Sequence, residues 1–254
     1  GVYSGSATST LSLITPPTTL SGNLYKCVVT GTCAPVITSD TVKLIVNSPI
    51  TVSASPANQS VCVGSNTNFT VTATGTSISY QWQVDNGSGF TNLSDTTGIY
   101  SGSTTTSLTL TNVVAAKNGY KYRCVLTGVC GPIVNTNSAT LTVNTIPAVV
   151  SQPTSKTICF GNNTSFSFTG SGSGLTYQWY VNTGSGFTAL SDGGVYSGSS
   201  TGTLTLTSPP ATMSGYIYRC VGTAICAPTL TSNSVTLTVN TSPSITTQPV
   251  AATT

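Results

Sequence analysis

The stretch "NGYKYRCVLTGVC", residues 118–130, sets Tyr120, Tyr122, Cys124 and Leu126 at every second position and closes on a Gly-bearing turn. Alternation with period two, carried by aromatic and β-branched residues, is the pattern of a half-buried strand. The same phrase stands at 25–33 as "YKCVVTGTC" and at 218–226 as "YRCVGTAIC". Cys27 and Cys124 are 97 positions apart, and Cys124 and Cys220 are 96 apart. A near-constant spacing of that length marks tandem structural units.

Other phrases keep the same period. "SISYQWQV" (77–84) returns as "GLTYQWYV" (174–181), and "VCVGSNTNFTV" (61–71) as "ICFGNNTSFSF" (158–168). "GVYSGS" stands at 1–6 and 194–199, with "GIYSGS" at 98–103. "KLIVN", "TLTVN" and "TLTVN" end at Asn47, Asn144 and Asn240, each followed by a short Pro-bearing link. These phrases predict the C-terminal half of a unit at 1–47, complete units at 48–144 and 145–240, and the first strand of another at 241–254. On this reading the sequence is a window on a longer array. Residues 1–47 lack the first three strands and the Trp, so they are expected to be completed by preceding chain or by strands from another molecule.

No stretch shows a helical period. In the middle unit strands are predicted near 50–55, 59–63, 67–74, 78–84, 88–93, 98–102, 106–112, 119–127 and 133–143. Charged residues are 4% of the chain, against about 25% in ordinary globular proteins. The net charge of +3 is small and its basic residues are dispersed, which argues against a nucleic-acid partner. No run approaches the ~20 apolar residues of a membrane span. Eight cysteines in so unreactive a background predict an oxidising, extracellular setting.

A unit of about 97 residues with many short strands and one central Trp resembles an immunoglobulin-like (Ig-like) sandwich. The residues are Trp82 and Trp179 on the third strand, and "NGYKYRC" and "SGYIYRC" on the sixth. Tyr122 and Tyr218 lie two places before a Cys, the tyrosine-corner spacing of that fold. The phrases are similar to the tandem Ig-like repeats of large secreted and cell-surface, adhesin-like proteins of Bacteroidetes-type bacteria. The resemblance implies an all-β fold of tandem Ig-like sandwiches in an extended array, with Trp82, Trp179, Tyr122 and Tyr218 in the cores.

The cysteines depart from the antibody pattern. The second-strand place that normally holds the partner Cys, eleven before the Trp, holds Val71 and Phe168. Cys27, Cys124 and Cys220 are therefore expected as buried core thiols. Cys62 is placed near the C-terminal pole of its unit and Cys130 in the loop at the N-terminal pole. Strands hold those poles roughly 17 Å apart, too far for a disulfide, whose Cα atoms are about 4.4–6.8 Å apart. The expected bond is a staple between repeats, Cys62 to Cys226, with Cys33, Cys130 and Cys159 reaching toward units outside this sequence. The alternative is Cys62–Cys124 and Cys159–Cys220 within each unit, with bonds between chains or reduced thiols beyond that.

Catalytic chemistry has no candidates. There is no His, so no Ser–His–Asp or Cys–His pair, and no CxxC for zinc. Asp40, Asp85, Asp95 and Asp192 are the only acids; Asp95 and Asp192 are counterparts in successive units and cannot form a glycosidase pair. The chain is read as a non-enzyme without cofactor or metal. Lys121 and Arg123 alternate with tyrosines and are read as the solvated face of their strand. "DTV" (40–42) and "DTT" (95–97) resemble a Bacteroidetes O-glycosylation motif, making Thr41 and Thr96 candidate acceptors. The first functional reading is a structural stalk or extracellular filament, whose partners are neighbouring repeats and other copies of the chain. The others are adhesin repeats that bind a surface glycan and an accessory module of a secreted hydrolase.

Overall fold

The structure is a computed structural model that describes residues 1–249 and residue 252. Residues 1–47 form three short hairpins from β1 (Tyr3–Ser4), β2 (Ser12–Leu13), β3 (Leu24–Tyr25), β4 (Val28–Val29), β5 (Ile37–Thr38) and β6 (Val42–Lys43). These pair as β1–β2, β3–β6 and β4–β5 and extend no further.

The middle repeat holds β7 (Thr51–Ala54), β8 (Gln59–Cys62), β9 (Thr67–Thr70), β10 (Thr72–Thr74), β11 (Ser79–Asp85), β12 (Phe90–Asn92), β13 (Tyr100–Ser101), β14 (Ser107–Leu110), β15 (Lys121–Thr127), β16 (Val134–Asn135) and β17 (Ala139–Asn144). One sheet runs β12-β11-β15-β17-β8, with β16 on β15; facing it are β13-β14-β9 and the pair β10–β7. The third repeat copies this order with β18 (Ala148–Ser151), β19 (Lys156–Cys159), β20 (Thr164–Ser167), β21 (Thr169–Ser171), β22 (Thr176–Asn182), β23 (Phe187–Ala189), β24 (Tyr196–Ser197), β25 (Thr203–Leu206), β26 (Ile217–Thr223), β27 (Leu230–Thr231) and β28 (Val235–Asn240). Its sheets are β19-β28-β26-β22-β23, with β27 on β26, and β20-β25-β24 beside β18–β21.

Period-two alternation sets the cores. On β15, Tyr122, Cys124 and Leu126 are fully buried while Lys121 is exposed. Trp82 pairs in register with Cys124, and Trp179 with Cys220, so each thiol lies beside the central indole of its own sheet. Phe69 crosses from the opposite sheet, 4.7 Å from the Tyr122 ring and 6.5 Å from Trp82. Phe166 does the same at 5.0 Å from Tyr218 and 6.3 Å from Trp179. Phe168 and Val71, at the antibody cysteine's place, are 1% and 3% exposed. Apolar packing occupies the position of the usual disulfide.

Three differences from the expected strands have local causes. The run 67–74 divides at Val71 because β9 pairs with β14 and β10 turns to β7. The run 133–143 divides because Thr136 leaves the ladder, and its hydroxyl accepts the N–H of Cys124. Within the predicted strand 241–254, no strand forms over 241–249, and residues 250, 251, 253 and 254 lie outside the described residues. The equivalent strands β7 and β18 each pair with a later strand of their own repeat, β10 and β21.

The chain divides into two compact units: Gly1–Gln59 with Asn66–Val113 and Gly119–Thr142, and Ser60–Ser65 with Val114–Asn118 and the chain from Val143 on. The division passes through the middle repeat. Its pole bearing Cys62 clusters with the third repeat.

Candidate functional site

The joint that follows the middle repeat is built from the phrase "TLTVN". Asn144, the last residue of β17, is 6% exposed. Its side-chain amide donates to Ser60 Oγ at 3.0 Å and to the Val61 carbonyl at 3.4 Å, and its own carbonyl accepts the N–H of Val63 at 3.0 Å. A buried amide with this many partners fixes the strand that ends in Cys62. Cys62 and Cys226 are disulfide-bonded, with Cα atoms 5.9 Å apart and a sequence separation of 164 positions. The Cys226 sulfur is buried and lies 3.7 Å from the Asn144 carbonyl, a contact rather than a hydrogen bond because a disulfide sulfur carries no proton.

The link beyond Asn144 is itself tied down. Thr145 N–H donates to Ser173 Oγ at 2.9 Å, and the Ile225 N–H donates to the Ser173 carbonyl at 3.1 Å. Pro147 is buried. The earlier link repeats the device: Ser48 N–H donates to Thr76 Oγ1 at 2.9 Å, and Thr76 N–H returns a bond to the Ser48 carbonyl at 3.2 Å. A hydroxyl residue after the terminal Asn therefore meets a hydroxyl residue in the turn between the second and third strands. Such closed exchanges leave the linker few free torsions.

The remaining cysteines fall in three environments. Cys124 and Cys220 are fully buried, and burial pushes their thiols up to about 11 and about 12. Cys159 and Cys33 are exposed and Cys130 is half-buried, all three as free thiols. Cys27, expected in a core, is exposed. Its counterparts are covered by Phe69 and Trp82 or Phe166 and Trp179, residues that 1–47 lack. Cys159 holds the register of the stapled position, paired with Asn240 on β28, and Phe160 N–H donates to the Asn240 carbonyl at 2.8 Å.

The phrase "YSGS" proves to be the seat of the Trp. Gly102 takes φ +82°, and a Cβ there would strike the Ser107 carbonyl. This turn presents the Ser103 carbonyl to the Trp82 N–H at 2.8 Å and the Thr105 carbonyl to the indole N–H at 2.9 Å. Trp179 is held the same way by Ser199 and Thr201, at 2.8 and 2.9 Å. Ser103 N–H donates to Asp95 and Ser199 N–H to Asp192, both at 2.7 Å; the serine hydroxyl and backbone bonds hold both carboxyls below their ordinary range. The tyrosine of the phrase also alters the expected corner. Tyr122 and Tyr218 hydroxyls meet Tyr100 and Tyr196 hydroxyls, at 3.4 and 3.1 Å, as Tyr25 meets Tyr3 at 3.0 Å.

The proposed solvated face is only partly so. Arg123 Nε donates to Gln83 Oε1 at 2.8 Å, and its guanidinium lies 4.0 Å from the Phe90 ring centre. Arg219 stacks on Phe187 at 4.0 Å and lies 5.8 Å from Tyr180; its buried Nε has no hydrogen-bond partner among the described residues. Thr41 and Thr96 are exposed, with Thr96 Oγ1 donating to the Ser94 carbonyl at 3.3 Å. Among the described residues no group of three His, Cys, Asp or Glu side chains is placed to hold a metal, and no helix is long and apolar enough to cross a membrane.

No protein-family model and no curated protein sequence matches this chain. Solved structures do. The titin I-band fragment I67–I69 matches with a TM-score of 0.56 at 16% identity, covering 91% of this chain and 78% of that one. Drosophila OTK extracellular domains 3–5 match at 0.54 and 19%, covering 91% and 74%. Sidekick-1 immunoglobulin domains 1–4 match at 0.58 and 19%, covering 94% and 63%. At these identities the likeness establishes the fold: the chain is all-β and built of tandem Ig-like sandwiches.

Proposed function

We propose that this chain is a structural repeat region of a large secreted bacterial surface protein, serving as a stalk or extracellular filament. The observation that carries the reading is the joint after Asn144, where a disulfide, a buried amide and a tied linker act together. A joint that only connects two domains needs none of these, whereas one that resists bending or pulling gains from all three. The disulfide favours an oxidising, extracellular location. The repeat boundaries at 48–144 and 145–240 belong to the same proposal, as do further staples through Cys33, Cys130 and Cys159. Electron microscopy of the native protein, on cells and purified, tests the reading. Fibres or thin rods with a regular axial spacing support it; separate compact particles contradict it.

A second reading, as adhesin repeats binding a surface glycan, is favoured by the third repeat alone. Tyr180 stands where the middle repeat has Gln83, beside Phe187 and Arg219. Aromatic rings beside a guanidinium suit sugar faces and acidic sugars. A glycan array that retains the protein, with retention lost in Tyr180→Gln, supports this reading; no retention removes it.

A further inference from the structure

The Cys62–Cys226 bond closes a covalent loop whose ends stand 164 positions apart in sequence and 5.9 Å apart in space, Cα to Cα. Within that loop lie β9 to β26, both tryptophans, Phe69 and Phe166, and the link from Asn144 to Thr145. Outside it, the middle repeat keeps only β7 and β8, and the third repeat only β27 and β28.

This division decides how the chain meets tension. Without the bond, tension enters the middle repeat at its first strand and leaves at Asn144, crossing the sandwich from β7 to β17. It crosses the third repeat in the same way, from β18 to β28. Each core then opens when its terminal strands part, because β17 carries buried Leu141 and Val143, and β28 carries buried Leu237 and Val239. With the bond, tension enters through β7 and β8, passes the two sulfurs, and leaves through β27 and β28. It runs along the first strands of one repeat and the last strands of the other, and spans neither sandwich from first strand to last.

The ties beside the bond do not substitute for it. Val63 N–H donates to the Asn144 carbonyl at 3.0 Å, the Asn144 amide to Ser60 Oγ at 3.0 Å, and Ile225 N–H to the Ser173 carbonyl at 3.1 Å. A hydrogen bond under load exchanges for one to water at modest net cost, whereas a disulfide opens by reaction with a thiol or another reductant.

We infer that the Cys62–Cys226 bond is a tension lock: it withholds residues 63–225 from extension, and keeps load from being applied across either core, until a reductant opens it. The inference rests on the stalk-or-filament reading, which supplies the tension, and adds to it a fixed length that the chain yields or withholds. With the bond closed, residues 1–62 and 226–254 stretch to about 300–330 Å in all, at ~3.3–3.6 Å per residue. Opening it adds about 540–590 Å from the 164 positions of the loop.

The test stretches single molecules of the 254-residue protein, held by cysteine-free tags at its two ends. In non-reducing buffer, extension should stop at about 300–330 Å. Dithiothreitol added during a low-force hold acts by two thiol–disulfide exchanges, leaving Cys62 and Cys226 as thiols and the reagent as its cyclic disulfide. The next pull should then gain about 540–590 Å, in two steps, one for each core. Cys62→Ser with Cys226→Ser should give the same gain with no reductant. Reduction of the wild-type chain in place needs no variant to fold. An unreduced chain that already yields its full length overturns the lock. So does a withheld length of about 200–220 Å in each repeat, the mark of bonds such as Cys62–Cys124, because tension would then still cross both sandwiches. Microscopy of native material judges the stalk-or-filament reading separately: compact particles there remove the source of tension and leave the withheld length unchanged.

Discussion

Asp95 and Asp192 accept the N–H of a buried serine at 2.7 Å, and those serines in turn face the central Trp. Asp85 accepts the N–H groups of Gly87 and Gly89, and in the third repeat Asn182 makes the same two bonds to Gly184 and Gly186. The chain thus contains its own control. Asp95→Ala should lower the melting temperature of the middle repeat by several degrees, while Asp85→Asn should leave it unchanged. The carboxyls of Asp85, Asp95 and Asp192 all lie below their ordinary range because backbone or serine donors hold the charged form. A depressed folded value means their stabilisation is complete above the unfolded carboxylate value of ~3.9 and is lost as pH falls through the folded one. With no His to titrate, melting temperature should be level from about pH 5 to 8 and fall below about pH 4. The thiols divide just as sharply: Cys124 and Cys220, pushed up to about 11 and about 12 by burial, should resist an aqueous thiol reagent in the native state. In the isolated 254-residue chain, where no further unit is present to staple or cover them, exposed Cys27, Cys33 and Cys159 should label first, as read by mass spectrometry.

The strands were legible because alternation names the inward face: Phe69, Tyr122, Leu108 and Leu141 could be assigned to cores from period two alone. Alternation does not name partners. It could not show that the run through Val71 changes partner strands, because Phe69, Val71 and Ala73 keep one phase on both sides of the break. Nor did it distinguish Cys27 from Cys124, since the two stand in nearly identical phrases and differ only in whether another segment covers them. Asn144 was visible as the constant last letter of "TLTVN", but its buried amide depends on strand β8, far away in sequence. The same dependence on context predicts how core changes behave. Phe69→Ala should destabilise the middle repeat by about 3–5 kcal/mol, because it leaves a cavity between Trp82 and Tyr122. Ile14→Ala, at a side chain 58% exposed, should have little effect. Urea unfolding followed by tryptophan fluorescence separates the two outcomes.

Across the whole molecule, one covalent bond joins the middle repeat to the third. Two sandwiches with complete cores fold without it, so removing it should loosen the joint and leave the cores packed. Cys62→Ser with Cys226→Ser should cost about 2–4 kcal/mol of unfolding free energy. Near-ultraviolet circular dichroism from Trp82 and Trp179 should be unchanged, and backbone exchange should quicken around Val63 and Thr145. A loss of the tryptophan signal would mean that the bond supports the cores instead of the joint. The most direct measurement is a peptide map of the folded 254-residue chain under non-reducing conditions. Cleavage after Lys and Arg puts Cys62 in the fragment 44–117, Cys124 with Cys130 in 124–156, Cys159 in 157–219, and Cys220 with Cys226 in 220–254. Fragment 44–117 should be found joined to fragment 220–254, with sequencing across the bond placing it at Cys226. Fragment 44–117 joined to 124–156 through Cys124 would contradict that pairing and would make each repeat a separately closed unit.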